Sequence, residues 1–302
     1  MSQDTVVELI GTVKKGRRKT IGPLNLQIPK GYIVAFVGPN GSGKSTMIQM
    51  ILQTICPDEG EIRWYGEAHT GVLPIDLRQK IGYVPEISAI EENYMTAEVA
   101  ARFRSYWYPS WDEEYFESLM TRFDVPRRER LSRMSKGERR KFEIAAALAA
   151  KPKLLLLDEP SSGLDPFAWK HMIDELRNCM EEEEVTIILA THIVEEIKRL
   201  ADYIAFVYQG QVLDMVEKDL LLGSWKEIWV RNDESARLSK FPGKVIRQED
   251  GPSISKLVVQ EDSLLDELYA EQGLQIIKSR SLELEEIMEL WIEGHRPAAA
   301  VQ

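Results

Sequence analysis

The chain has 302 residues, 44% hydrophobic and 29% charged, with a formal net charge of −11. That length and apolar content suit one large domain or two smaller ones and exclude bulk disorder. The acidic balance argues against a dominant nucleic-acid surface, which should be basic, and against direct adhesion to anionic lipid.

The start of the chain carries no basic-then-apolar signal segment. Residues 6–10 and 24–28 read as strands, with a basic turn, Lys14-Lys15-Gly16-Arg17-Arg18-Lys19, as a solvated hairpin tip between them. Next comes an apolar run, Ile33-Val34-Ala35-Phe36-Val37, and then Gly38-Pro39-Asn40-Gly41-Ser42-Gly43-Lys44-Ser45-Thr46. Met47, Ile48, Ile51, Leu52 and Ile55 follow at helical spacing. A strand, a glycine loop ending in Gly-Lys-Ser and a helix make a phosphate-binding P-loop. Its glycines let backbone N–H groups approach phosphate oxygens, and the helix turns its positive end to the same place. Lys44 supplies a charge for the β- and γ-phosphates, and Ser45 a hydroxyl for Mg²⁺. A glycine-rich turn with a chance lysine would lack these flanks.

Cys56-Pro57-Asp58-Glu59-Gly60 ends that helix, and residues 61–65 and 81–84 read as strands. Residues 87–126 change to helices and aromatics, among them Tyr94, Phe103, Tyr106, Trp107 and Phe116. These read first as core packing and surface anchors, and then as a docking groove for a partner. Ser135-Lys136-Gly137-Glu138 is a capping box opening a helix over 139–150. Leu154-Leu155-Leu156-Leu157 is a continuous apolar strand, as in a parallel sheet covered on both faces. It ends in Asp158-Glu159-Pro160. At the C-terminal end of such a strand, carboxylates face the ligand crevice. Asp158 suits a Mg²⁺ position beside Ser45, and Glu159 a general base for an attacking water.

A helix over 169–180, a buried strand over 185–189, and strands over 203–207 and 211–213 around Gln209-Gly210 complete an α/β pattern. His192 follows a buried strand downstream of the carboxylates, whereas His69, His171 and His295 read as structural. Near Gly223 the texture shifts. Strands over 227–230, 244–247 and 255–259 and helices over 263–271 and 282–292 suggest a small α+β unit, with 296–302 as a frayed tail. The expected domains are therefore 1–222, with a helical part over 87–150, and 223–302. Cys56 and Cys179 lack metal-ligand spacing and read as reduced packing thiols. The longest apolar stretch, 144–157, is broken by Lys151, Pro152 and Lys153, short of the roughly 18 residues a membrane span needs. No internal repeat appears, so one nucleotide-binding unit per chain is expected.

Together these motifs resemble the ATP-binding subunit of an ABC (ATP-binding cassette) transporter. The P-loop and the Asp158-Glu159 strand match that family's two Walker motifs, and Ser162-Gly163-Leu164-Asp165 its D-loop. His192 matches the switch histidine, and Met134-Ser135-Lys136-Gly137-Glu138 stands where the ABC signature belongs. Trp107-Tyr108-Pro109-Ser110-Trp111-Asp112, the Ser-Lys-Gly signature and the C-terminal appendage resemble a bacterial exporter branch of Ytr and antibiotic-peptide type. The resemblance implies a P-loop NTPase fold and an ATPase using ATP and Mg²⁺. Gly38, Pro39, Asn40, Gly41, Ser42, Gly43, Lys44, Ser45 and Thr46 would cradle nucleotide. Ser135, Lys136 and Gly137 would complete a second chain's site, and Asp165 of the D-loop would also bind nucleotide; Ser45, Glu86 and Asp158 would hold the metal; Glu159 and His192 would be catalytic. It also implies a second ATPase chain, identical or related, membrane permease subunits, and a place on the cytoplasmic face of the membrane.

Three positions depart from the family pattern. Lys136 replaces the first signature glycine, Glu86 replaces a glutamine, and no aromatic stands in the early basic turn where adenine usually stacks; Lys15 falls there instead. A soluble ABC ATPase acting on ribosomes or DNA would carry a second cassette or a long coiled coil, and neither is present. A nucleotide sensor without hydrolysis would not need Glu159 and His192.

Overall fold

A computed structural model of the chain describes residues 5–17, 19–69, 71–183, 185–223, 225–232, 245–260 and 276–295. The helix expected over 263–271 and the tail over 296–302 lie outside the described residues. The chain divides after Leu213 into two compact units.

The first unit is built on a parallel sheet of strands β3 (Ile33–Val37), β6 (Ile81–Val84), β7 (Leu154–Asp158), β8 (Thr186–Thr191) and β9 (Tyr203–Tyr208). With β10 (Gln211–Glu217) at one edge, the order is β10-β9-β3-β8-β7-β6. Every residue of β3, β7 and β8 is buried, which is why these segments read as unbroken apolar runs. β3 pairs in parallel with β8 and β9, so both strands that run into functional loops, β3 and β7, flank β8 at the centre. The turn between β9 and β10 has positive φ at both Gln209 and Gly210, as a two-residue I′ turn requires.

A second sheet joins β1 (Thr5–Lys15), β2 (Thr20–Pro29), β4 (Glu59–Trp64) and β5 (Glu67–Ala68) in the order β2-β1-β4-β5. Trp64 is fully buried there. The helices of this unit are α1 (Lys44–Ile51), α2 (Ile75–Arg78), α3 (Ala97–Ser105), α4 (Glu113–Arg122), α5 (Lys136–Ala149), α6 (Pro166–Glu183) and α7 (Val194–Leu200).

Helix starts follow local chemistry. Thr96 caps α3, Asp112 caps α4, and Ser135 with Glu138 forms a complete capping box on α5. Phe116 of α4 and Phe142 of α5 meet edge to face at 6.4 Å inside the main core. A buried network ties α3 to α5: Arg104 pairs with Glu92 at 2.6 Å and Glu143 at 2.7 Å, and Arg139 pairs with Glu143 at 2.8 Å. Burial opposes ionisation of Glu143, yet Arg104 and Arg139 hold its carboxyl below the ordinary range. The aromatics of 87–126 divide: Phe116 is core, while Tyr94, Phe103, Tyr106 and Trp107 are exposed. Cys179 packs in the core, but Cys56 is exposed, so the packing role expected of both thiols holds for Cys179 alone. Cys56 sits on the turn after α1, where its carbonyl accepts from Lys14 Nζ at 2.8 Å.

The second unit contains α8 (Lys218–Gly223) and an antiparallel sheet of β11 (Trp225–Arg231), β12 (Val245–Asp250), β13 (Ile254–Gln260) and β14 (Ile276–Ser281), in the order β12-β13-β11-β14. Helix α9 (Leu284–Ile292) buries Leu284, Ile287, Leu290 and Trp291. Buried Glu227 accepts from Arg280 Nε at 2.7 Å and pairs with Lys256 at 2.6 Å. Arg280 also grips both oxygens of Glu286, each at 2.7 Å. That bidentate grip pushes the Glu286 carboxyl down to about 2 from its ordinary 4.5. With its folded-state value depressed, Glu286 stabilises the unit fully above about pH 4.5, and this is lost as pH falls toward 2. Glu286→Gln should therefore flatten the fall in thermal midpoint over that window. A variant as acid-sensitive as the parent chain would contradict this.

Candidate functional site

The loop between β3 and α1 is shaped by glycines at two places. Gly43 precedes α1 at φ 121, and a Cβ on Gly38 would stand 2.0 Å from Val207 O. No larger residue fits at Gly38. Gly43 offers α1 no side-chain cap, so the first N–H groups of the helix are left for a ligand in the cleft. The Ser42 hydroxyl is buried without a hydrogen-bond partner in the same loop. From the other side Lys19 Nζ donates to Gly41 O at 3.0 Å and Ser42 O at 3.2 Å, bracing the outer rim.

Lys44 is 5% exposed, and its Nζ donates to Gly38 O at 2.8 Å and lies 3.8 Å from Glu159 Oε1. Burial pushes this ammonium below its ordinary pKa, while Glu159, Asp158 and Glu86 oppose the shift. Ser45 Oγ donates to Asp158 Oδ1 at 3.0 Å. Asp158 ends the buried strand β7, and its carboxyl is pushed up to about 6, first by burial and then by Glu86 and Glu159. Glu159 follows with φ 49, a left-handed conformation unusual for a glutamate and of the kind found at functional positions. Its N–H donates to Ala190 O at 2.9 Å, which ties this conformation to β8. His192, just past β8, places Nδ1 2.9 Å from Glu159 Oε1.

Lys44, Ser45, Glu159 and His192 face one cleft of about 570 Å³, lined by the loop from Asn40 to Thr46 together with Glu86, Glu159, Ser162 and His192, while Asp158 is buried and joined to the lining through Ser45. Gly38 and Pro39 lie beneath it, presenting carbonyls to Lys44. Among the described residues no cluster of three or more His, Cys, Asp or Glu could hold a metal by itself. The donor set nevertheless fits Mg²⁺: Ser45, Asp158 and Glu86 offer oxygen only, and three carboxylates gather here around one buried ammonium. Magnesium characteristically takes one or two carboxylates and completes its shell with phosphate and water.

Other expected site residues stand elsewhere in the chain. Ser135, Lys136 and Gly137 start α5 and do not line this cleft. Asp165 Oδ1 accepts from the N–H groups of Phe167 and Ala168, both at 2.9 Å, and so caps α6. Lys15 is not among the residues that line the cleft and pairs with Glu59 at 2.5 Å, while Lys14, Gly16 and Lys19 line it. The basic turn is thus more than a solvated tip. Arg140 is a further residue the motifs did not indicate. It is buried in α5 and donates to Pro85 O at 2.5 Å and Glu86 O at 2.8 Å, which fixes the loop carrying Glu86.

The model of the ABC transporter family matches residues 21–162. The Nod factor export ATP-binding protein I of Rhizobium sp. (strain N33) is 33% identical over 212 residues, 68% of this chain and 69% of that protein. The bacitracin transport ATP-binding protein BcrA of Bacillus licheniformis is 27% identical over 87% of this chain and 88% of its own length. The carnitine transport ATP-binding protein OpuCA of Listeria monocytogenes serotype 1/2a (strain 10403S) is 30% identical over 86% of this chain, which spans 65% of that protein. A solved ATP-binding subunit of an ABC transporter superposes with a TM-score of 0.64 at 26% identity, over 72% of this chain and 92% of that one. With the P-loop, the carboxylate pair and the histidine gathered around one cleft, this chain belongs to the ABC transporter family and carries its ATP-binding domain.

Proposed function

We propose that the chain is the ATP-binding and ATP-hydrolysing subunit of a bacterial ABC transporter, powering export through separate membrane subunits. The observation that carries this reading is the meeting of Lys44, Asp158, Glu159 and His192 at the glycine loop. The loop N–H groups and Lys44 bind the phosphates of ATP and neutralise charge that develops on them. Glu159 accepts a proton from the attacking water, and His192 holds that carboxylate in place through Nδ1. Ser45, Asp158 and Glu86 hold Mg²⁺, which supplies charge neutralisation at the phosphates.

The segment Ser135 to Gly137 lies outside its own chain's cleft, which suits a site completed by a second ATPase chain, identical or related. Nucleotide between the two chains then closes the dimer, and loss of the γ-phosphate reopens it. No helix among the described residues is long and apolar enough to cross a membrane, which fits a division of labour with permease subunits. The name of the Nod factor export relative favours export. The chain would then sit on the cytoplasmic face of the membrane, bound through the permease, with no nucleic-acid partner. Phosphate release from ATP and Mg²⁺ by the full-length chain tests the reading. Steady turnover is expected, and a chain that binds ATP but releases no phosphate would overturn it.

A further inference from the structure

Lys136 occupies a signature position where ABC chains usually carry glycine, and its side chain has a defined place. It crosses the loop after Glu159 in the same chain, and Nζ donates to Ser162 Oγ at 2.6 Å. A Cβ at Gly163 would meet Lys136 Cγ at 2.9 Å, so the lysine lies directly over that glycine. One position on, a Cβ at Gly137 would stand 2.5 Å from Gly163 O. Two glycines therefore let the start of α5 and the 161–165 loop approach at backbone distance. Lys141 adds a second link, with Nζ 3.5 Å from Asp165 Oδ2. Ser162 in turn lines the nucleotide cleft with Glu159 and His192, and its N–H donates to Glu159 O at 3.1 Å.

We propose that Lys136 is a positioning residue that couples the Ser135 to Gly137 segment to its own chain's catalytic loop through Ser162. The inference rests on the reading of the cleft as an ATPase site completed by a second chain. An ammonium only donates, so Ser162 Oγ must accept from it and turn its own O–H elsewhere. A glycine at 136 would leave the hydroxyl to rotate and the loop behind Glu159 less fixed. Lys136 thus links the segment that meets one nucleotide to the loop that cleaves the other.

The test is a double-mutant cycle on the ATPase activity of the full-length chain, with Lys136→Met, Ser162→Ala and the pair. Each single change should lower kcat about tenfold, as for other contacting pairs, and leave KM within about threefold. The double variant should be no slower than either single, and Lys136→Arg should recover most of the rate. Losses that multiply in the double variant, an unchanged kcat in Lys136→Met, or an Arg variant as slow as Met would overturn the coupling. A wild-type chain without phosphate release would instead overturn the ATPase reading, and the coupling with it. Multiplying losses in an active chain would overturn the coupling alone.

Discussion

Glu159→Gln is expected to stop ATP turnover and leave ATP binding in place. Glutamine keeps the size of the side chain and can keep the φ of 49 that the backbone holds here. It also keeps one oxygen to face His192 Nδ1, which now sits 2.8 Å from Oε2. What it loses is the capacity to take a proton from water. A positioned general base contributes about 10²- to 10⁴-fold, so kcat should fall by at least the lower of these. Titration calorimetry should find ATP affinity within about threefold of the parent chain, because the loop N–H groups and the Lys44 ammonium both stay, and only the 3.8 Å approach of Lys44 to the Glu159 carboxylate loses its charge. Undiminished phosphate release would remove Glu159 from the role of base.

Lys44→Ala is expected to act on binding. The ammonium is buried, bonded to Gly38 O at 2.8 Å, and faces Asp158, Glu159 and Glu86. Hydrogen bonds involving a charged group are worth about 1.5–3 kcal/mol, so ATP affinity should weaken roughly ten- to a hundredfold. Removal also takes the Lys44 counter-charge away from the three carboxylates, which raises the repulsion an incoming triphosphate meets. Titration of ATP and Mg²⁺ into the variant reads this directly, and an unchanged Kd would contradict it.

Much of the central frame is legible in the chain because it is local. β3, the glycine loop and α1 follow one another without interruption, and β7 ends in its two carboxylates. The capping box at Ser135 and the turn at Gln209 and Gly210 are signals confined to a few residues, and both appear in the structure as expected. Strand β14 is different. Its sequence, Ile-Ile-Lys-Ser-Arg-Ser, is a largely exposed edge strand, and polar edge residues give no alternation to read. α7 is seven residues long, too short for apolar periodicity to stand out.

The candidate site shows the same division. Motif residues announce themselves by type and order, but their companions are set by contacts distant in sequence. Lys19 reaches Gly41 across 22 positions, and Arg140 reaches Pro85 across 55. Neither residue carries a spacing that would mark it. The left-handed backbone at Glu159 is likewise invisible in composition, since it is imposed by the bond to Ala190 on the neighbouring strand. Lys136 stands out in the sequence as a departure, but only its packing over Gly163 gives that departure a physical meaning.

The most direct measurement is the solution mass of purified Glu159→Gln chain, by light scattering, with and without ATP and Mg²⁺. A shift from monomer to dimer is expected on adding nucleotide, reversed when the γ-phosphate is absent, as with ADP. A chain that binds ATP and stays monomeric would contradict closure of two copies around shared nucleotide.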